Sequence, residues 1–247
     1  MLHHRTAGEG PPLLLIQGAA EDVDLLTPQA EAFAARGRRV IWADRRGTGR
    51  SPRDHWPSTV EAHADDAADP LRAENAAPAT VLGFSSGGIV ALALAARHPD
   101  AVREAIAWEP PLISLVPGGT DLHAALLKPI EAYLAEHPGD WAGGYRVMLD
   151  TLSEGRADHD APVVRAMRRN AEAALRDDAV VITRYTVEPS DGGIVAVGAA
   201  PAPLHAAIAA AFAEITGRAP LVVPAADDHE VYLHRPAVLA DALASRW

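Results

Sequence analysis

The chain has 247 residues, 49% of them hydrophobic and 22% charged, a composition that suits one large globular domain. A net charge of −11 with scattered Lys and Arg leaves no basic stripe for nucleic-acid phosphates, and zero cysteines remove disulfides, thiolate metal sites and a cysteine nucleophile. No apolar run approaches the roughly 20 residues of a membrane span, and the opening MLHHRTAGEG has no apolar signal region, so a soluble cytoplasmic protein is expected.

In chain order, residues 2–8 read as an edge strand and 8–12 as a turn. Leu13 to Ile16 are wholly apolar, the pattern of a strand covered on both faces. The run ends in Gln17-Gly18-Ala19-Ala20, small residues where backbone can approach a ligand. A helix is expected from Thr27-Pro28, with Ala30, Phe33 and Ala34 on one face and Gly37 beyond its end. Residues 39–43 give the next strand, closed by DRRGTGRS from Asp44 to Ser51. Ser58 and Glu61 fit a capping box for a helix whose Val60, Ala64, Ala67, Ala68 and Leu71 share a face, with Pro70 expected to kink or shorten it.

The stretch VLGFSSGGIVALALAA, residues 81–96, organises the rest. Its apolar run stops at Gly83 to Gly88 and resumes with helical spacing, which reads as strand, sharp corner, helix. A serine at the tip of such a corner needs small residues two before and two after it, since larger side chains would collide across the turn. Gly83 and Gly87 stand in that relation to Ser85; for Ser86 the residue two before is the bulky Phe84. Ser85 is therefore the candidate nucleophile, and the Ser86 N–H at the helix start can face an oxyanion. The plainer alternative is a glycine-rich turn between a buried strand and a helix.

That helix ends near His98-Pro99, and residues 102–108 form another strand with Glu109 at its C-terminal end. The alternation of strands and helices argues a doubly wound, mainly parallel sheet. Residues 111–189 change to helical segments interrupted at Pro117-Gly118-Gly119, Pro129, Pro138-Gly139 and Gly143-Gly144. Leu122, Leu126, Ile130, Tyr133 and Leu134 form one face, and Trp141, Tyr145, Met148 and Leu152 another. This block reads as a helical cap inserted between core segments 1–110 and 190–247. The sheet resumes at 193–197, a helix carrying Leu204, Ile208, Phe212 and Ile215 stops at Gly217, and the last strand is 221–223. Asp227-Asp228-His229 follows in a loop, and Pro236 opens the final helix.

Three motifs in this order, DRRGTGRS, GFSSG and DHEVYLHRP, make the chain resemble the α/β-hydrolase family over almost its whole length. The resemblance implies an α/β-hydrolase fold with a helical cap, Ser85 as nucleophile and His229, between the last strand and last helix, as general base. His234 lies outside the matching frame. The remaining histidines, His205 among them, have no ligand-like spacing with carboxylates and read as surface or capping residues. The family usually carries its acid in the loop after the strand at 193–197, but residues 198–203 here are GAAPAP. Some members place the acid after the strand that follows the elbow helix, where Glu109 stands in AWEPP. The alternatives are a structural Glu109 held by backbone N–H groups, or no acid at all with Asp228 as a partial substitute.

Gln17 replaces the family's usual histidine before the oxyanion-hole glycine, and the implied donor pair is the N–H of Ala19 and of Ser86. Asp44 and Arg46 match a structural turn motif. Gln17, Trp108, Leu126, Tyr145 and Met148 are expected on the substrate side. The resemblance implies a serine hydrolase acting on a small, largely apolar ester or lactone, with no metal, no cofactor, and neither nucleic acid nor membrane as partner; self-association is left open. A serine at the elbow argues against dehalogenase and epoxide hydrolase chemistry, which resemble members with aspartate there. The rivals are amide release of the proline iminopeptidase kind, for which Glu131, Glu136, Asp150 and Glu154 could hold a substrate amine, carbon–carbon bond hydrolysis, and a non-catalytic small-molecule-binding protein.

Overall fold

Alternation of side chains along short apolar strands explains the layering of the molecule. In the computed structural model, which describes residues 1–186, 192–244 and 246, Leu13 and Leu15 point to one face of β2 (Pro12–Ile16), and Leu14 and Ile16 to the other. Each face then needs its own helices. One layer is formed by α2 (Val60–Ala73), α3 (Ser86–Arg97) and α8 (Pro203–Thr216), packed through Ala68, Leu71, Ile89 and Phe212. The opposite layer contains α1 (Val23–Ala34), the short α9 (Val231–His234) and α10 (Ala237–Ala244), packed through Leu26, Phe33, Val231 and Leu239.

Seven strands form one sheet in the order β1-β3-β2-β4-β5-β6-β7. The edge strand β1 (His4–Ala7) is antiparallel to β3 (Arg39–Ala43). The strands β2, β3, β4 (Ala79–Phe84), β5 (Val102–Trp108), β6 (Ile194–Gly198) and β7 (Leu221–Val223) run parallel. From β2 the chain steps to one side for β3 and to the other for β4, so a crevice opens beyond the carboxyl ends of β2 and β4.

Between β5 and β6 lies a helical insertion: α4 (Gly119–Glu136), α5 (Trp141–Ser153), α6 (Pro162–Met167), α7 (Ala171–Ala173) and the π-helical turn Ala174–Asp178. Its inner face, with Leu127, Ile130, Tyr145 and Met148, packs on Ala20 of the loop after β2. The expected end of the cap near Pro189 lies outside the described residues.

Several local expectations change. Helix α1 starts four residues early because the Asp22 carboxylate accepts from the N–H of Asp24 and Leu25, and Pro28 sits inside the helix. Thr59, not Ser58, caps α2 by accepting from Ala62 N–H, while the Ser58 N–H donates to Asp177 at 2.9 Å. Pro70 does not stop α2 before Ala73, and Pro129 does not divide α4, an 18-residue helix whose Leu127 and Ile130 remain buried against the insertion's own core. Among the described residues, no helix is long and apolar enough to cross a membrane.

Candidate active site

Ser85 sits between β4 and α3 with φ 51° and ψ −122°, a conformation that L-residues rarely adopt. The corner is as crowded as the glycine spacing requires. A Cβ on Gly83 would lie 2.1 Å from the Gly87 carbonyl oxygen, and one on Gly87 would lie 2.2 Å from that of Gln17. Two further residues at strand ends are left-handed: Ala20 after β2 (φ 61°) and Glu109 after β5 (φ 40°).

Trp108 links these ends. Its carbonyl accepts the Ser85 N–H at 2.9 Å, and its indole N–H donates to the His229 carbonyl at 2.9 Å. The Glu109 N–H donates to Ala196 at 2.8 Å, which turns the side chain towards the loop after β7. There Glu109 Oε2 accepts from His229 Nδ1 at 2.9 Å, and Oε1 accepts from the Gly198 N–H at 3.2 Å. Burial pushes the Glu109 carboxyl up, but contacts from His205 and His229 outweigh it and hold the group well below the usual carboxylate range. Asp228 pairs with His234 at 3.1 Å instead, so of the two acids considered from sequence, Glu109 is the one bonded to His229.

Two features went unread in the sequence. His205, expected at the surface, lies with Nδ1 3.2 Å from the same Glu109 oxygen, its ring stacked on His229 with centroids 4.8 Å apart. Glu109, His205 and His229 offer ligand atoms within 4.8 Å of one another, but two stacked, near-parallel rings suit a shared carboxylate better than convergence on one ion. The second feature is Glu21, fully enclosed in the loop after β2. Its Oε1 accepts from the Tyr232 hydroxyl at 2.5 Å and its Oε2 from the Gly18 N–H at 2.9 Å. Burial raises its carboxyl to about 7 despite those bonds. Neither residue stands in a motif; only a fold that joins distant segments makes them neighbours.

Gln17 and Trp108 are corrected as substrate-side residues. Gln17 is fully buried, its amide donating to Glu21 O and Thr48 Oγ1 and accepting from the Arg45 N–H. Trp108 is fully buried with its N–H committed to His229. Tyr145 and Met148 are buried on the inner face of the insertion, and the Tyr145 hydroxyl is pushed up by burial and by the charges of Glu21, Glu230 and Asp178. Leu126 is only half-buried; its neighbour Leu127 takes the packed position. Asp44 and Arg46 are structural, as expected: Asp44 accepts from the N–H of Val23 and Arg50, and Arg46 grips Asp66 with both ends of its fork.

A serine at a strained strand-to-helix corner and a carboxylate-bound histidine, each hydrogen-bonded to Trp108 at the carboxyl end of β5 in a parallel sheet, define a class of hydrolase fold. The α/β hydrolase fold model matches residues 11–145, and the chain belongs to that family. It is 35% identical over 137 residues to an uncharacterised hydrolase of Bacillus subtilis, covering 55% of this chain and 48% of that one. It is 31% identical over 188 residues to a Caulobacter protein provisionally named a carbamate hydrolase, covering 72% of this chain and 69% of that one. The chain spans half or less of the first curated relatives it matches. Among solved structures, an α/β hydrolase from Sphaerobacter thermophilus superposes with a TM-score of 0.74 at 24% identity, covering 99% of this chain and 95% of that one. A structure reported with carboxylesterases of Nitrososphaera gargenis gives 0.75 at 20% identity, covering 99% and 93%; likeness at this level speaks for the fold.

Proposed function

We propose that this chain is a serine hydrolase that cleaves a small, largely apolar ester or lactone through an acyl-enzyme on Ser85. The observation that carries the reading is the 2.9 Å bond between His229 Nδ1 and Glu109. A carboxylate only accepts, so it fixes the proton on Nδ1 and leaves Nε2 as the base. His229 takes the Ser85 hydroxyl proton as the oxygen attacks the carbonyl carbon, and the negative charge passes to the carbonyl oxygen. The Ser86 N–H, first in α3, stabilises that oxyanion. Its companion is the Ala19 N–H, because the Gly18 N–H is committed to Glu21. As the tetrahedral intermediate collapses, the alkoxide leaves with the proton held by His229, and water then releases the acid by the same steps in reverse. The helical insertion acts as the cap, with Tyr145 and Met148 on its inner face towards the substrate.

Amide release of the iminopeptidase kind has less support, because Glu131, Glu136, Asp150 and Glu154 are all exposed at the surface of the insertion. The test is turnover of p-nitrophenyl butyrate together with stoichiometric labelling by an organophosphonate. Ser85→Ala should lose the label and at least on the order of 10³-fold in turnover while keeping its circular dichroism spectrum. Turnover at the wild-type rate in that variant sinks the proposal.

A further inference from the structure

A triad needs one histidine on its carboxylate, and Glu109 has two. Its Oε1 is taken by the Gly198 N–H at 3.2 Å, while Oε2 faces His229 Nδ1 at 2.9 Å and His205 Nδ1 at 3.2 Å. The imidazole rings stack at 4.8 Å with 18° between their planes. The two histidines come from separate elements, α8 and the loop after β7, so neither local turn geometry nor helix capping explains the contact. A ring that only filled space there would not need a nitrogen on the acid.

We propose that His205 is a positioning residue of this centre, bracing Glu109 and the His229 ring and dividing the carboxylate's negative charge between two imidazoles. The inference rests on the Ser85–His229–Glu109 reading above. A carboxylate oxygen 3.2 Å away favours the proton of His205 on Nδ1. Without that second imidazole the full charge of the carboxylate would fall on His229. The ionisable surroundings are few. Of the elements packed on α8, β6 (Ile-Val-Ala-Val-Gly) and the turn Ile113–Leu115 bring no charged side chain. On α8 itself the other ionisable group is Glu214, more than two turns away. Among the described residues, beyond Glu109 and His229, Glu21, within charge range of His229, and Asp228 and Glu230, on either side of it in sequence, bear on the cluster.

The experiment compares His205→Phe, which keeps a flat ring and loses the donor, with His205→Gln, which keeps a donor and loses the ring. The readout is the pH profile of kcat/KM for p-nitrophenyl butyrate, with kcat and KM resolved at the plateau. His205→Phe should move the acid-side midpoint upward by on the order of one pH unit with KM within about twofold. His205→Gln should restore the midpoint but lose kcat several-fold, as His229 is freed from its stack. A midpoint within about 0.2 unit of wild type in His205→Phe overturns the inference. Nitrogen-15 NMR of the wild-type imidazoles needs no variant to fold: the Nδ1–H tautomer of neutral His205 is expected, and the Nε2–H tautomer overturns it. If Ser85→Ala abolishes turnover while the His205→Phe profile stays put, only this inference falls; if Ser85→Ala turns over normally, the functional reading falls first.

Discussion

Three residues with side chains, Ala20, Ser85 and Glu109, are held at positive φ where the neighbouring strands β2, β4 and β5 end. Each costs about 1–3 kcal/mol that the surrounding packing must offset, and such strain collects where chemistry is done. The strained corner at Ser85 was legible because it demands Gly83 and Gly87, and the contact of Glu109 with His229 was legible because the usual acid position holds GAAPAP. Glu109→Gln would turn an amide N–H towards His229 Nδ1; turnover is expected to fall by on the order of 10³-fold with the fold intact, and a near-wild-type rate would point to a structural carboxylate. Glu21 was not legible, since nothing in a local pattern says that a glutamate will be sealed inside. Its carboxyl is raised to about 7 from 4.5, so the folded state keeps a proton that the unfolded chain has already released. The stability it supports is present below about pH 4.5 and is lost as pH rises through about 7, at most about 3 kcal/mol. Glu21→Gln should remove that slope. Its melting temperature relative to wild type should rise between pH 5 and pH 8; an equal difference at both pH values would rule this out.

At the scale of elements, the π-helical turn Ala174–Asp178 does more than the long helices around it. Asp177 accepts from the Trp56 indole N–H and the Ser58 N–H and pairs with His63 at 3.0 Å. Asp178 accepts from Ser86 Oγ at 2.6 Å and from Arg45 at 2.7 Å. The side chains of Asp178 and Arg45 are only 4% and 6% exposed. Removing the carboxylate in Asp178→Ala would strand the guanidinium in low dielectric, a loss of about 3–5 kcal/mol in chemical denaturation. The exposed Arg156–Glu154 pair should matter by under about 1 kcal/mol when broken. A drop of similar size from both pairs would contradict the burial argument. Periodicity found the helices of the insertion, but Pro129 misled about a break in α4, as Pro70 did about the end of α2 in the core, because a missing N–H can be absorbed inside a helix whose neighbours hold it in place. The acidic turn itself was invisible: Asp177-Asp178 reads as solvated charge until the fold supplies Trp56, His63, Ser86 and Arg45.

For the molecule as a whole, strand–helix alternation carried the sheet and its two layers, since short wholly apolar strands separated by helices leave few other arrangements. How the insertion packs over the crevice depends on contacts between residues more than a hundred positions apart, which no window of sequence contains. The net charge of −11 acts at this scale. An anionic ester such as p-nitrophenyl hemisuccinate should have a lower kcat/KM than a neutral analogue in 10 mM salt, and the gap should narrow several-fold at 300 mM as the Debye length shrinks. Salt-independent discrimination would mean that local contacts, not the global field, set it.

The bond from Ser86 to Asp178 ties the roof to the very corner it covers. A rigid swing of the insertion away from α3 would have to pull the buried Asp178 carboxylate from both Ser86 and Arg45, so this turn anchors the insertion to the core.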